Sequence, residues 1–136
     1  MPRRRGHSAH HLVGELEYAV LKALWEQSPA NVAAVLTTVN DRRRRRDQLA
    51  YTTVMTVLSR LYDKGLLDRT KVGRGYAYTP RFDEPALVKH LGQQEVDDLL
   101  DRFGSVALMQ FAAALQKADP RTLQGIRELS RESTDD

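Results

Sequence analysis

Residues 50–80, AYTTVMTVLSRLYDKGLLDRTKVGRGYAYTP, combine an amphipathic helix pattern with a short basic β-hairpin pattern that follows it directly. In the first part, apolar side chains recur at i, i+3, i+4 and i+7, which places them on one stripe of an α-helix: Val54, Val57, Leu58 and Leu61. Lys64-Gly65 predicts the helix end, because glycine tolerates the left-handed C-cap conformation. Two β-prone runs, 66–72 and 76–80, then flank a glycine-containing turn. A helix followed by such a hairpin is the order of elements in a winged-helix DNA-binding domain.

The opposite face of the predicted helix carries short hydroxyl side chains and one guanidinium group. These groups can approach base edges and phosphates closely, and a threonine methyl suits the methyl group of thymine. We therefore predict DNA contacts from Thr52, Thr53, Thr56 and Arg60, with Met55 at the margin of this face.

Two cations lie at or near the tip of the predicted hairpin, where they can reach a phosphate backbone. They are Lys71 and Arg74, and we predict that both contact DNA. The hairpin by itself is equally compatible with a small solvated structure that only covers the core. The preceding helix favours the DNA-binding interpretation.

Two further helices are predicted before residue 50. Residues 12–27 form helix one, with Trp25 in the core, and Asn31 caps a second helix that ends near Asn40. The second helix, a loop and the helix at 50–64 make a helix-turn-helix, in which the last helix is the recognition helix.

The loop at 42–46 consists of five consecutive arginines. Such a run is either a solvated loop or a phosphate-binding segment, since the fork of arginine matches phosphate oxygens. Its position beside the recognition helix favours phosphate contact, and we predict that Arg43 and Arg45 take part. Residues 1–11 are predicted to be a disordered basic arm, with weak nonspecific DNA attachment and no function both left open.

Composition excludes several classes of protein. At 136 residues with 41% hydrophobic content, the chain has the composition of a soluble globular protein of one or two small domains. It has no stretch of about 20 apolar residues and no signal-peptide core, so we expect a cytoplasmic protein without membrane insertion. The absence of cysteine excludes disulfides, thiol catalysis and thiolate metal sites. His7, His10 and His11 lack the companion ligands of a metal site, so we expect no metal. We also expect no cofactor and no enzymatic activity, because there is no phosphate-binding glycine motif and the neighbouring carboxylate pairs have no partner base.

Charge divides the chain into two parts. Residues 1–81 hold 15 Lys and Arg against 7 Asp and Glu, a net charge of +8, whereas residues 82–136 have a net charge of -5. A basic amino-terminal part is typical of nucleic-acid binding, and an acidic carboxyl-terminal part suits protein contacts. We predict a winged-helix domain at 12–81, a helical dimerisation domain at 82–131 and a disordered tail at 132–136.

The sequence of the carboxyl-terminal part predicts three short helices. Asp83 caps the first helix, Gly104-Ser105 separates the first from the second, and Asp119-Pro120 begins the last. Their apolar side chains either form an ordinary intramolecular core or pack against a second copy. Dimerisation is favoured, because exposure would leave a large apolar patch. The predicted dimerisation residues are Leu87, Leu91, Leu99, Leu100, Phe103, Leu108, Met109, Phe111 and Leu115.

Three segments carry a resemblance to a known family: Tyr51-Thr52-Thr53-Val54, Lys64-Gly65-Leu66 and Gly73-Arg74-Gly75-Tyr76-Ala77-Tyr78. With Leu16-Glu17 and Leu24-Trp25 upstream, they resemble the penicillinase and methicillin-resistance repressors of the BlaI/MecI type. The resemblance covers residues 12–80 strongly and residues 81–117 by architecture. It implies a mainly α fold with a small β-hairpin wing, in which a winged helix-turn-helix is followed by a helical dimerisation region.

The resemblance also implies a mechanism: a homodimer that represses transcription from a pseudo-palindromic promoter operator in double-stranded DNA. In this family a β-lactam-activated membrane sensor metalloprotease leads to cleavage in the dimerisation region, at the position that matches Arg102-Phe103. The best-known members have asparagine where this chain has Arg102. The related copper-responsive branch uses cysteine pairs that are absent here. The alternative function is a winged-helix protein-interaction module that does not read DNA.

Overall fold

The computed structural model describes residues 8–134. Over this range the chain is mainly helical, with one two-stranded antiparallel sheet, which confirms the predicted fold class. The elements are α1 Glu15–Glu26, α2 Val32–Asn40, α3 Tyr51–Asp63, β1 Leu67–Val72, β2 Gly75–Pro80, α4 Glu84–Phe103, α5 Ser105–Leu115 and α6 Pro120–Thr134, with short 3-10 helices at Ala9–His11 and Arg45–Asp47.

The chain divides into two compact units, one ending at Gly92 and the other comprising Gln93–Asp136. We call them the winged-helix unit and the C-terminal unit. In the winged-helix unit, one apolar core joins α1, α2 and α3 to the base of the hairpin and the start of α4. The predicted stripe of α3 is the centre of this core, because its four apolar side chains are all buried. Each fully buried leucine contributes about 1.5–3 kcal/mol relative to an exposed one.

Helix α3 ends in a tight C-cap that passes the chain directly into the hairpin. Gly65 has φ +78, its N–H donates to Tyr62 O at 2.9 Å, and the N–H of Leu66 donates to Leu61 O at 3.0 Å. These two bonds define a Schellman motif, which satisfies carbonyls that the helix end would leave unpaired. The predicted role of Gly65 is therefore confirmed.

The hairpin is closed by a two-residue turn, Gly73-Arg74. The register runs from Leu67 opposite Pro80 to Val72 opposite Gly75, so Gly75 belongs to β2 and not to the turn. Gly73 has φ +61, whereas Arg74 has negative φ. A positive φ at the first central position alone is the pattern of a type II′ turn, which suits the twist of a β-hairpin. We call residues 67–80 the wing.

The start of the chain differs from the predicted disordered arm. From Ser8 onward it is ordered, because Ala9 is fully buried and its N–H donates to Glu84 Oε2 at 3.1 Å. The prediction of disorder is therefore wrong for residues 8–11. Residues 1–7, which include Arg3, Arg5 and His7, lie outside the described residues.

The end of the chain requires a similar correction. Helix α6 extends to Thr134, so the predicted tail at 132–136 is helical over 132–134. Residues 135 and 136 lie outside the described range. The N-caps predicted for α4 and α6 are present, since Asp83 Oδ1 accepts from Ala86 N at 2.9 Å and Asp119 Oδ1 accepts from Thr122 N at 2.8 Å.

The predicted domain boundary after Arg81 falls earlier than the division between the two units. Helix α4 begins in the winged-helix unit and ends in the C-terminal unit. Leu87 is only 1% exposed and belongs to the winged-helix core, and Leu91 packs against the same core. We therefore correct the prediction and assign Leu87 and Leu91 to this core instead of to a dimerisation surface.

Candidate nucleic-acid interface

The outward side of α3 is polar, as the sequence pattern predicted. Thr52, Met55, Thr56 and Arg60 are exposed, and Thr53 is half-buried at the edge of this side. Positions i, i+3, i+4 and i+8 share one side of a helix, so these residues form a continuous surface, which we call the recognition face. Met55 gives the face an apolar spot, since 42% of the residue is exposed.

Two further exposed residues border the recognition face, one at each end of α3. Tyr51, the first residue of α3, is exposed at the beginning of the helix, and Asp63 is exposed at its end. A large aromatic ring next to the three threonines adds contact area, whereas the carboxylate of Asp63 would repel a phosphate. The face is therefore better suited to DNA contact near its amino-terminal end.

The wing presents its cations near the tip. Lys71 lies opposite Tyr76 in the strand register, and Arg74 occupies the second turn position. Both are exposed. Within the part of the chain that the structure describes, neither forms an ion pair, so both charges are available to an anion.

The five arginines between α2 and α3 do not behave alike. We call residues 41–50 the arginine loop. Arg42 forms an ion pair with Glu26 of α1, and Arg43 is half-buried, with its Nε donating to Asp47 O at 3.1 Å. Arg44, Arg45 and Arg46 are exposed. The structure thus brings the predicted Arg45 to the surface but folds the predicted Arg43 back onto its own loop.

Asn40, the last residue of α2, holds the arginine loop closed. Its Nδ2 donates to Leu49 O at 3.0 Å, and its Oδ1 accepts from Leu49 N at 2.8 Å. The two bonds tie the end of α2 to the residue just before α3. The prediction from sequence missed this role, although asparagine is a residue that commonly pairs with nearby backbone groups in turns.

Replacement of Asn40 by alanine is expected to lower the free energy of unfolding by about 1–3 kcal/mol, because it leaves the partly buried N–H and C=O of Leu49 without partners. Urea denaturation would measure the change. Gln48→Ala is a matched control, since the exposed Gln48 side chain makes only a long contact to Asn40 O at 3.4 Å. Equal effects of the two substitutions would contradict the role of Asn40.

The C-terminal unit exposes much of its apolar surface in the single chain. Leu99 and Leu100 are half-buried, and among the residues of this unit that the structure describes only Ala107 is a buried hydrophobic residue. Met109 is 65% exposed. The remaining exposed members of the predicted dimerisation set are Phe103, Leu108, Phe111 and Leu115.

The predicted cleavage position lies where α4 ends. Arg102 and Phe103 are both exposed, and the guanidinium carbon of Arg102 lies 5.5 Å from the centroid of the Phe103 ring. Gly104 follows with φ +54 and separates α4 from α5. The peptide bond between Arg102 and Phe103 is therefore next to a break between two helices.

Over residues 8–134 no three His, Asp or Glu side chains are grouped in a way that could hold a metal ion. No helix in this range has the length and apolar character needed to cross a membrane.

The chain is similar in sequence to a known protein family over most of its length. A family model described as penicillinase repressor matches residues 13–132, which includes nearly all of both units. The chain belongs to the penicillinase repressor family. Members of this family are transcriptional regulators and not enzymes.

Two relatives of this penicillinase repressor family member differ in how much of the chain they match. Transcriptional regulator BlaI from Mycobacterium tuberculosis is 40% identical over 80 residues, which is 58% of this chain and 55% of that protein. The chain thus matches about half the length of its mycobacterial relatives. Penicillinase repressor from Bacillus licheniformis is 26% identical over 117 residues, 86% of this chain and 85% of that protein.

Solved structures of the same family resemble part of the chain. The DNA-binding domain of the repressor BlaI is 31% identical, with a TM-score of 0.46, and the match covers 54% of this chain and 85% of that domain. Bacillus licheniformis BlaI, as a monomeric form in complex with the blaP half-operator, is 32% identical, with a TM-score of 0.43 and coverage of 53% and 83%.

Proposed function

We propose that this chain is a sequence-specific DNA-binding repressor that acts as a homodimer on a pseudo-palindromic promoter operator. The observation that supports the proposal most strongly is the recognition face of α3, which presents hydroxyls and a guanidinium to solvent beside a wing whose Lys71 and Arg74 form no ion pair with any described residue. A relative of the same family is known in complex with an operator half-site, so one winged-helix unit of this chain would occupy one half-site.

In this proposal α3 lies in the major groove. Thr52, Thr53 and Thr56 contact base edges and thymine methyl groups, while the longer Arg60 reaches a guanine or a phosphate. Met55 fills the space between them. Direct contacts of this kind specify sequence, whereas contacts to phosphate fix the position of the protein on the duplex.

The basic segments on either side supply the phosphate contacts. Lys71 and Arg74 of the wing and Arg45 of the arginine loop are exposed and free of ion pairs among the described residues. Arg43 supports the loop through its bond to Asp47 O. Its positive charge would attract the phosphate backbone without direct contact. Each neutralised phosphate releases counterions, so binding would weaken steeply as the salt concentration rises.

The exposed apolar side chains of α5 support the proposed homodimer. A helix that is apolar on most of its surface requires burial, and contiguous exposed patches of this kind mark association sites in soluble proteins. A second copy related by a dyad would cover the patch symmetrically. The two recognition helices would then read half-sites roughly one helical turn, about 34 Å, apart.

Derepression would occur by cleavage at Arg102-Phe103. Both residues are exposed beside the break at Gly104, where a protease can reach the backbone. Cleavage would detach α5 and α6 from the DNA-binding unit and so remove the basis of pairing. A membrane sensor metalloprotease of the family type is the proposed partner, with a specificity that accepts arginine before the phenylalanine.

Substitutions on the recognition face test the DNA-binding proposal. Thr56→Ala and Arg60→Ala are each expected to cost about 1–3 kcal/mol in binding, roughly a 5- to 150-fold loss of affinity, because each removes a base or phosphate contact. A gel shift on the promoter region of the protein's own gene measures the loss.

Lys89→Ala is the matched control, since Lys89 is an exposed cation on α4, which does not belong to the recognition face. It should leave affinity within about twofold, as expected of a surface site without a specific contact. If the Thr56 and Arg60 variants bound as well as the wild type, a protein-interaction module that does not read DNA would be the better account.

A further inference from the structure

Arg69 of β1 joins the wing to the recognition helix through two aromatic rings. Its guanidinium carbon lies 3.8 Å from the centroid of the Tyr62 ring and 4.1 Å from the centroid of the Tyr76 ring. Tyr62 lies in the last turn of α3, and Tyr76 is the second residue of β2. One planar cation therefore contacts the helix and the wing at the same time. We call this contact the Arg69 bridge.

The Arg69 bridge lies between the buried base of the wing and its exposed tip. At its base the wing is fixed by the buried residues Leu67 and Tyr78 and by two hydrogen bonds, Ala30 N to Tyr78 O at 3.0 Å and Tyr78 N to Ala30 O at 2.8 Å. Beyond Arg69 the side chains of β1 and of the turn are exposed. Arg69 lies opposite Tyr78 in the strand register, and through Tyr76, which also packs against the core, the Arg69 bridge reaches two positions nearer the tip.

The guanidinium of Arg69 forms cation–π contacts with both rings. Within residues 8–134 no carboxylate forms an ion pair with it, and the residue is half-buried. A guanidinium stacks on aromatic faces because it is planar and weakly hydrated, which a lysine ammonium is not. This arrangement suits a positioning residue better than a phosphate ligand.

We propose that Arg69 is a positioning residue, which holds the wing at a fixed distance and angle from α3 so that Lys71 and Arg74 contact the DNA backbone while the recognition face lies in the groove. The inference rests on the proposed DNA-binding function. A wing without the bridge would pivot about its base, and its cations would lose part of their alignment with the phosphates.

Hydrogen exchange of the full chain without DNA tests the bridge itself. In Arg69→Ala, the amides of residues 70–77 are expected to exchange about 5- to 30-fold faster, as expected for the loss of two cation–π contacts, while the amides of α1 and α3 keep their protection. Arg81→Ala is the matched control, because Arg81 pairs with Asp68 at the base of the hairpin without stacking on a ring. Unchanged exchange over 70–77 in Arg69→Ala would overturn the proposal.

Salt titration of DNA binding separates positioning from direct phosphate contact. Arg69→Ala is expected to lower affinity and to reduce the slope of log K against log salt by up to about 1.8, because Lys71 and Arg74 both lose phosphate contacts, whereas loss of a single phosphate contact made by Arg69 itself would reduce the slope by about 0.9. Arg69→Lys keeps the charge but not the planar group, so it should resemble Arg69→Ala. Full rescue by lysine, or an unchanged slope in Arg69→Ala, would overturn the proposal.

A double-mutant cycle adds a readout that a general loss of stability would not change. Arg74→Ala should weaken binding clearly in the wild-type background and much less in the Arg69→Ala background, because the wing tip is already misaligned there. Additive effects would count against positioning.

Substitutions of Tyr62 test the Arg69 bridge independently, in case the Arg69→Ala protein does not fold. Tyr62→Leu removes one ring from the bridge and should give the same pattern, and Tyr62→Phe, which keeps the ring, should not. A wild-type protein that binds no duplex would overturn the proposed function, while the exchange experiment would still decide whether the bridge holds the wing.

Discussion

If the chain forms the proposed homodimer, Met109→Glu is expected to give a monomer and to weaken binding to a full operator about 10²–10⁴-fold, the range by which linking two binding sites raises affinity. Met109 is 65% exposed on α5, so the substitution should not unfold the single chain. A carboxylate at this position would be buried without a partner in the interface between two copies, which is costly.

Sedimentation equilibrium and a gel shift on the same preparations measure the two effects together. Arg121→Glu is the control, because Arg121 lies in the first turn of α6 on the side opposite Leu123, Ile126 and Leu129, where an acidic residue is compatible with the helix dipole. It should remain dimeric. A Met109→Glu protein that is still dimeric, or that is monomeric with full operator affinity, would refute the proposed role of α5.

Leu58→Ala is expected to lower the free energy of unfolding of the winged-helix unit by about 2–5 kcal/mol, since it removes a fully buried side chain and leaves a cavity. Leu58 is 0% exposed at the centre of the core formed by α1, α2 and α3. A loss of this size is a large part of the stability of a small domain, so DNA binding would also fail at raised temperature.

Met55→Ala provides the comparison on the same helix. Met55 belongs to the recognition face, so its replacement should change the free energy of unfolding by less than about 1 kcal/mol while reducing DNA affinity. Urea denaturation followed by circular dichroism would separate the two variants. Similar destabilisation by both would mean that the buried and exposed sides of α3 have been misassigned.

Local features of this chain were predictable from its sequence. Helix α3 was expected at 50–64 and is found at Tyr51–Asp63, and the caps at Asn31, Asp83 and Asp119 were each correctly predicted. These features depend on residues within a few positions of one another: an apolar period, a side-chain oxygen that accepts from a nearby N–H, and a glycine with positive φ. The recognition face follows from the same period.

Features that depend on distant partners were not predictable in this way. Ser8 and Ala9 both donate hydrogen bonds to Glu84, which is 75 positions from Ala9, and nothing near Ala9 in the sequence indicates this contact. The apolar pattern of α4 continues through Leu87 and Leu91, so it does not show where the helix leaves the winged-helix core. Burial in that core is decided by side chains from other elements of the winged-helix unit, which are distant in sequence.

The arginines illustrate the same limit. Sequence alone treats Arg42–Arg46 as one charged run, whereas the fold gives Arg42 an ion pair with Glu26 and Arg43 a backbone acceptor. Arg69 carried no signal in the sequence, because its two rings come from a helix and a strand that meet only in the folded protein. A charge pattern predicts which region of the chain can bind an anion. It does not predict which of the charged side chains already form contacts within the folded protein.

Selection of bound duplexes from a random DNA pool, with the purified full-length chain, tests the central proposal most directly. We expect a symmetric consensus of two inverted half-sites whose centres lie roughly one helical turn, about 34 Å, apart. This result would establish sequence reading, dyad symmetry and half-site spacing in one experiment. Recovery of a single asymmetric half-site, or no enrichment of any sequence over the starting pool, would contradict the account of a dimeric repressor.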